Sequence, residues 1–569
     1  MVNPALKLSN DHCDLALGET GVVLSLFERA AGREWQARDL RVPLFAALHT
    51  GVTLPPTRMQ VVGDGFHLEF AQCGFACSVS CRALPDHFLF KVESVSGPAP
   101  DAIGLFGIHV TPDQTHGELH FGTRLNTVWD DSFSVTLLAL NPDTEARSLP
   151  GRILQARAHQ RFGLEGAGCA LLTVPTVRLD QALVDFAVRY NLPQPTLDGK
   201  PAKLSPMVRR GYLFTDFDAA NADRILDWAK RGRFAHVVMH AGSWHDRAGH
   251  YRVHPERIPG GTPALRAIAE RFHRADIGVG IHLGSADIGW EDPYMTPVPD
   301  RRLATGSRFR LSTAVGPNDP YLTTDVHPLL VTRRVLYNYN AFGENTAALA
   351  SGTGDQLDTV SVELDDRPFT VRVDDELIRV RHLMQGMGFE VVERGLYGTQ
   401  PAPHAAGGEI VVLRQLYNSF LLDVYTSLLD EVADSVARIY NECQLDMIYF
   451  DCGEGFGGPP WHARARVHDA FLRRFDRECL AQGSDHPHYS WHWFARYGTS
   501  DCVPSQSNAH VDHTRVPRAL TCRDNRMPAD MGWFQLYAAN ARHAATTPAE
   551  AAYLCERADE LNAGKGLSL

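Results

Sequence analysis

No stretch of about 18 consecutive apolar residues occurs in the chain, so no helix in it is expected to span a membrane. The amino terminus, MVNPALKLSNDHCDLAL, lacks a basic segment followed by an apolar one. No signal peptide is therefore visible, and the expected location is cytoplasmic, or periplasmic or secreted if a leader has been removed. A surplus of positive charge is missing too. The 569 residues carry 55 Lys and Arg against 67 Asp and Glu, a formal charge of −12. Nucleic-acid backbones are held by clustered cations, so no nucleic-acid partner is expected. The 11 cysteines are scattered and odd in number, which fits reduced thiols rather than a disulfide framework. Cys73, Cys77 and Cys81 first suggest a metal cluster. As a strand, however, they share one face with Phe75 and Val79, and small buried core residues are the preferred reading. Internal repeats and low-complexity tracts are also absent. RGLYGTQPAPHAAGG (394–408) lacks the P-loop spacing with Lys and reads as a loop near substrate.

What is present is a globular composition, 44% apolar and 21% charged, in a chain long enough for about two or three domains. Residues 1–200 read as an all-β sandwich, with short apolar runs at 21–27, 66–70, 88–92 and 105–110 between turn signals. From residue 205 to 569 apolar strands alternate with helical patterns, which predicts an α/β domain of the (β/α)8 TIM-barrel type. GYLFTDFD (211–218), AHVVMH (235–240) and IGVGIHL (277–283) are its first three strands. The rhythm then breaks, and 285–410 reads as a β-rich insertion after strand three, with strand-like runs at 360–364, 370–373 and 376–380. Val424, Leu428, Leu429, Val432, Val436, Ile439 and Tyr440 recur at helical spacing and predict a helix over 424–441. The strand DMIYFD (446–451) follows. Later strand candidates are HYSWHWF (488–494), 500–504, MGWFQLY (531–537) and GLSL (566–569).

Working residues of such a barrel stand at the carboxyl ends of its strands. Asp216 follows strand one, Trp244 and His245 follow strand two, and His282 closes strand three. Asp451 closes strand four and runs into CGEGFGGPPW, with Glu454. Trp491, Trp493, Arg496 and Asp501 surround strands five and six, and Asp530 and Trp533 belong to strand seven. Carboxylates interleaved with Trp, His and Arg suit sugars: aromatic faces stack on pyranose rings, and paired carboxyl groups act across a glycosidic bond. Asp451 is the sharpest candidate. A lone carboxylate after the apolar run MIYF is costly to bury, so it must emerge at the strand end. The glycines after it leave room for a ligand.

YFDCGE (449–454) resembles the strand-four motif of glycoside hydrolase clan D, the retaining α-galactosidases and α-glucosidases. HYRVHPERIPGGTPALRAIAERFHRADIGVGIHL (250–283) is similar to the clan's passage from a Phe-Pro-Gly turn, here Ile258–Pro259–Gly260, to a Gly-hydrophobic-Gly third strand. The amino-terminal β region resembles the sandwich that precedes the barrel in many of these enzymes. The resemblance implies Asp451 as nucleophile and Glu454 as its neighbouring carboxylate. It implies an acid/base Asp near strand six, for which Asp501 is best placed and Asp530 second. Asp216 would bind sugar hydroxyls, and Arg496 would bind substrate or tune charge. The long insertion and the end of the chain after the eighth strand depart from the clan's pattern. The expectation is a retaining glycosidase acting on a carbohydrate, without cofactor or metal; whether it forms a homo-oligomer is left open. Two alternatives stay open. One is a metal-dependent hydrolase or lyase using His236, His240, His245, His250 and His282. The other is a non-catalytic carbohydrate-binding protein.

Overall fold

The computed structural model describes residues 4–569 except 20, 38–41, 43, 328–337, 340–367, 384–385, 417–418, 452–458, 485–486, 498–507 and 540–543. Between Pro4 and Pro175 all named strands pair antiparallel, in an eight-stranded, a five-stranded and a four-stranded sheet. The alternation in the sequence explains the layering. In the strand Phe75–Ala83, Phe75, Cys77, Val79 and Cys81 point inward and the residues between them do not. The cysteines therefore sit in the core with Phe66, Phe90, Phe106 and Leu171, and Cys73 packs at its edge. Burial pushes the Cys77 thiol up to about 12, as an apolar surrounding should. The other face of the eight-stranded sheet, with Leu89, Leu138 and Leu172, packs on the helix Leu179–Arg189 and joins the next core.

From Tyr212 onward a seven-stranded sheet appears whose strands all pair parallel. We number these strands β1 (Tyr212–Thr215), β2 (His236–Met239), β3 (Gly278–Gly284), β4 (Met447–Asp451), β5 (Leu480–Gly483), β6 (Asp530–Gln535) and β7 (Gly564–Ser568). Their order in the sheet is β5-β4-β3-β2-β1-β7-β6. Arg496 forms a single parallel bridge to Gln482 of β5. Strands β1 to β5 are thus sequential neighbours, and β7 returns to the free side of β1. All four residues of β1, of β2 and of β5 are buried, the pattern of parallel strands covered on both faces.

The helix expected over 424–441 spans Leu428–Glu442 and buries Leu428, Leu429, Val432, Val436, Ile439 and Tyr440. Its start lies later than the apolar pattern because Asp423 accepts from the Tyr425 amide and the Thr426 hydroxyl, holding a turn ahead of it. The expected strand HYSWHWF is a 3-10 turn, Tyr489–His492. Its amides bond back along the chain, Trp491 to the His488 carbonyl and Trp493 to the Ser490 carbonyl, which closes turns where a strand would need a neighbouring ladder. The fifth strand is instead LAQG, whose lumen-facing Gln hides it from an apolar scan. The expected run 360–364 and the expected strand 500–504 lie outside the described residues. Between β3 and β4 stand a six-stranded and a four-stranded sheet, the former built on Phe309, Val371, Ile378, Phe389 and Ile410. The expected runs 370–373 and 376–380 fall in its strands Phe369–Val373 and Glu376–His382.

Candidate active site at the carboxyl ends of the parallel strands

Period-two geometry decides what enters the space enclosed by these strands. Tyr212 and Phe214, Val238, Met447 and Tyr449, Leu480, Ala495 and Trp533 form one buried cluster there. Glycine makes room for the larger rings. A Cβ at Gly566 would lie 2.4 Å from the Tyr212 ring, at Gly278 2.5 Å from His236, and at Gly280 2.8 Å from the Met447 Cβ. The interior is therefore packed solid at its lower and middle levels, and a ligand can enter only above them.

At the amino-terminal end, Arg496 and Asp530 make a bidentate ion pair, Nε–Oδ2 2.9 Å and Nη2–Oδ1 3.0 Å, with side chains 1% and 2% exposed. Arg496 also donates to the Arg210 carbonyl at 3.0 Å and lies over the Tyr212 ring. Asp530 opens β6, Arg210 precedes β1, and both mark the closed end. This placement corrects the substrate-binding roles expected for Arg496 and Asp530, and that of Asp530 as second choice for acid/base. Their charges are spent on each other, away from the strand ends where Asp451 stands.

At the carboxyl-terminal end, Asp451 closes β4 as expected, its side chain 36% exposed. Its Oδ2 lies 3.3 Å from Nε2 of His282. The His282 ring is flanked by Tyr449 at 5.1 Å and Phe214 at 5.2 Å, so it is held by packing from below. Among the described residues its Nδ1 has no hydrogen-bond partner. Ser285 donates its hydroxyl and amide to the Asp451 carbonyl, tying the root of the insertion to the end of β4. His240, just past β2, lies tilted against Phe214 with ring centroids 4.0 Å apart, its Nε2 3.5 Å from the Ser568 hydroxyl. Burial, then the neighbouring His282, pushes His240 down to about 4. Asp216, past β1, is 65% exposed and accepts from the Ser243 hydroxyl at 2.8 Å. The mouth thus holds Asp216, His240, His282 and Asp451 above a floor of Phe214, Tyr449 and Trp533, whose indole donates to the Tyr449 hydroxyl at 3.4 Å. A carboxylate within reach of an imidazole over an aromatic floor can attack, orient or protonate a polar ligand.

The remaining expected residues stand elsewhere. Trp244 is fully buried, stacks on Tyr251 and donates to the His282 carbonyl at 2.8 Å, so it braces β3 rather than offering a face to a sugar. His245 is packed against Trp244 and Tyr251, and burial pushes it down to about 3. Trp491 is buried and donates to Asn525, and Trp493 donates to Asp469 on the helix Pro460–Leu472. The expected substrate roles of Trp244, His245, Trp491 and Trp493 are corrected accordingly: each ring is filled in or turned away from the mouth. Glu454 and Asp501 lie outside the described residues. Of the histidines grouped for metal binding, His236 lies low beside Gly278 and His250 pairs with Asp292 at 2.8 Å. Among the described residues no group of three His, Cys, Asp or Glu side chains could hold a metal ion. Phe214, Tyr449 and Ser568 escaped the sequence reading. Counting back by two from Asp451 would have found Tyr449.

These features define an α/β protein with an amino-terminal antiparallel β region and a barrel-type parallel sheet carrying its polar cluster at the strand ends. No protein-family model matches the chain, and no curated protein matches it. Solved structures do. The GH36 alpha-galactosidase AgaB from Geobacillus stearothermophilus aligns with a TM-score of 0.47 and 9% identity, over 99% of this chain and 82% of that one. The alpha-galactosidase from Lactobacillus brevis aligns at 0.44 and 10%, over 100% and 81%. The alpha-N-acetylgalactosaminidase NagBb from Bifidobacterium bifidum aligns at 0.46 and 9%, over 98% and 93%.

Proposed function

We propose that the chain is a glycosidase of the retaining type, with Asp451 as nucleophile at the mouth of a (β/α)8 barrel. The observation that carries this reading is the place of Asp451: it emerges from an apolar strand at the open end of a filled lumen, beside His282 and over an aromatic floor. A sugar ring held at the strand ends beside His282, above the buried Tyr449 and Trp533, would present its anomeric carbon to Oδ2. Attack there forms a glycosyl ester and expels the leaving oxygen, which a second acid protonates; the same group then activates water for release. Asp501 is our candidate for that acid and Glu454 for a carboxylate assisting Asp451. Asp216 would accept from sugar hydroxyls. The sandwich over 1–200, the barrel over 205–569 and the insertion over 285–410 form the proposed domain division, with the root of the insertion at Ser285 as one wall of the site. The clan resemblance of YFDCGE makes an α-glycoside, a galactoside first, the substrate class.

The test is turnover of a panel of nitrophenyl α- and β-glycosides by the wild-type chain and by Asp451→Asn. The substitution removes the nucleophile and keeps the shape, so turnover should vanish while the folded spectrum stays. NMR of the first-formed sugar should show the substrate's anomeric configuration. Near-full activity of the variant on a confirmed substrate would falsify the assignment.

A further inference from the structure

Beneath the sandwich-facing side of the barrel lies a second recess, far from Asp451 in character and in lining. It is a cavity of about 50 Å³ between the helix Leu179–Arg189, the prolines 193, 195 and 201, and the 3-10 turn that carries Trp491. It adjoins a wider groove of about 300 Å³ through Asp180, Lys203, Leu204 and Arg526. The smaller space is mostly apolar, walled by Leu183, Ala187 and Trp491, and would hold a few waters or a small organic group. One cation reaches into it. The Lys203 ammonium lies 4.0 Å over the Trp491 ring and donates to the His492 carbonyl at 3.3 Å. Among the described residues it has no carboxylate partner, because the nearby Asp180 is held bidentately by Arg526 at 2.9 and 2.7 Å.

We propose that this recess binds a small organic carboxylate, its apolar body against Leu183, Pro193 and Trp491 and its carboxylate on the Lys203 ammonium. An ammonium without a counter-ion in an apolar pocket is a costly arrangement, and a folded chain normally pairs it or exposes it. An entering carboxylate supplies the missing partner, and the Trp491 face and the prolines supply a surface that favours a short alkyl body. A polyanion such as phosphate is disfavoured, since its greater desolvation has only one free cation to offset it inside the recess. Burial pushes Lys203 down to about 7, so the empty site is half neutral near neutral pH. Of the other charged groups facing it, His492 is held far below its ordinary value by burial, Asp180 is paired with Arg526, and Arg209 and Arg523 line the outer groove. Affinity should therefore be highest below pH 7 and fall by up to tenfold per unit above it, as the empty site loses its proton.

The experiment is calorimetric titration with butyrate at pH 6, 7, 8 and 9, with butyramide and inorganic phosphate as matched ligands. It uses the whole chain and three proteins: wild type, Lys203→Met and Val184→Phe, the last filling the recess from its partly exposed rim with Lys203 intact. One-site butyrate binding that weakens above pH 7, absent for butyramide and phosphate and lowered at least tenfold in both variants, is the expected result. Lys203→Met should be at least as resistant to urea as wild type, because it removes a half-buried cation that has no carboxylate partner, so its loss of binding cannot be put down to unfolding. Any of three results overturns the proposal: no butyrate binding at pH 6, binding unchanged by Lys203→Met, or equal binding of butyramide. Binding that survives Val184→Phe, or phosphate taken as readily as butyrate, places the anion in the outer groove and also overturns it.

Discussion

Replacing Asp530 by Asn separates a structural ion pair from a catalytic acid. Asp530 and Arg496 are joined by two hydrogen bonds of 2.9 and 3.0 Å with almost no exposure, and Asp530 also accepts from the Gly532 amide at 2.9 Å. Asn keeps the shape and one acceptor but not the charge, so the buried Arg496 guanidinium is left with neutral partners alone, the Asn oxygen, the Arg210 carbonyl and the Tyr212 ring. Breaking one partner of such a buried pair costs about 3–5 kcal/mol, a large share of the roughly 5–15 kcal/mol by which folded domains are stable. Urea unfolding followed by far-UV circular dichroism should show the midpoint falling steeply in Asp530→Asn. Asp451→Asn, at a partly exposed strand end, should leave the midpoint near wild type. The double variant Arg496→Met with Asp530→Leu should recover most of the loss, since the penalty lies in the unmatched charge and not in the missing bond. An Asp530→Asn protein with a wild-type midpoint and no turnover would refute this argument and return Asp530 to the chemistry.

Three further outcomes follow from the same geometry. His282→Gln should lower kcat on a confirmed substrate by about 10–100-fold with a smaller change in KM, because it removes the imidazole beside the Asp451 carboxylate; equal activity would detach His282 from the site. In the sandwich, burial alone would raise the Asp130 carboxyl, but the Arg33 guanidinium and the amides of His116, Ser132 and Phe133 draw it down to about 2. A depressed folded value gives stability that is present above the ordinary carboxylate range and is lost as pH falls through it towards 2, about 2 kcal/mol here; Asp130→Asn should flatten the urea-midpoint profile between pH 4 and 2, and an unchanged slope would contradict the pairing. Gly566→Ala sets a methyl 2.4 Å from the Tyr212 ring and should cost about 1–3 kcal/mol in the same assay, whereas no loss would mean that the lumen is not packed there.

How much could be read in advance depended on whether a residue's role is set by its own strand or by its neighbours. Asp451 was legible because one strand settles it: four apolar residues and then a carboxylate can only be an exit from the interior. The Cys77 and Cys81 placement was legible for the same reason, through alternation within a single strand. LAQG was hidden because parallel-strand burial normally announces itself by apolar side chains, and this strand spends a lumen position on Gln482, which donates to the Tyr212 hydroxyl at 3.0 Å.

Depth along the lumen is the property that a linear pattern does not carry, and it decides the site. Asp451, Trp533 and Asp530 all belong to strands of the same sheet, yet they stand at the mouth, the middle and the floor. What sorts them is pairing register. Asp530 is level with Gly564, at the start of β7, and Asp451 is level with Gly284, at the end of β3. The four tryptophans expected at sugar faces divide the same way: only Trp533 stands in the lumen cluster, while the indole N–H groups of Trp244, Trp491 and Trp493 bind polar atoms elsewhere in the fold. An aromatic residue near a strand end is a sugar platform only if its neighbours leave one face empty. The packing around Trp244 leaves none, so its substitution should act on stability before it acts on substrate affinity.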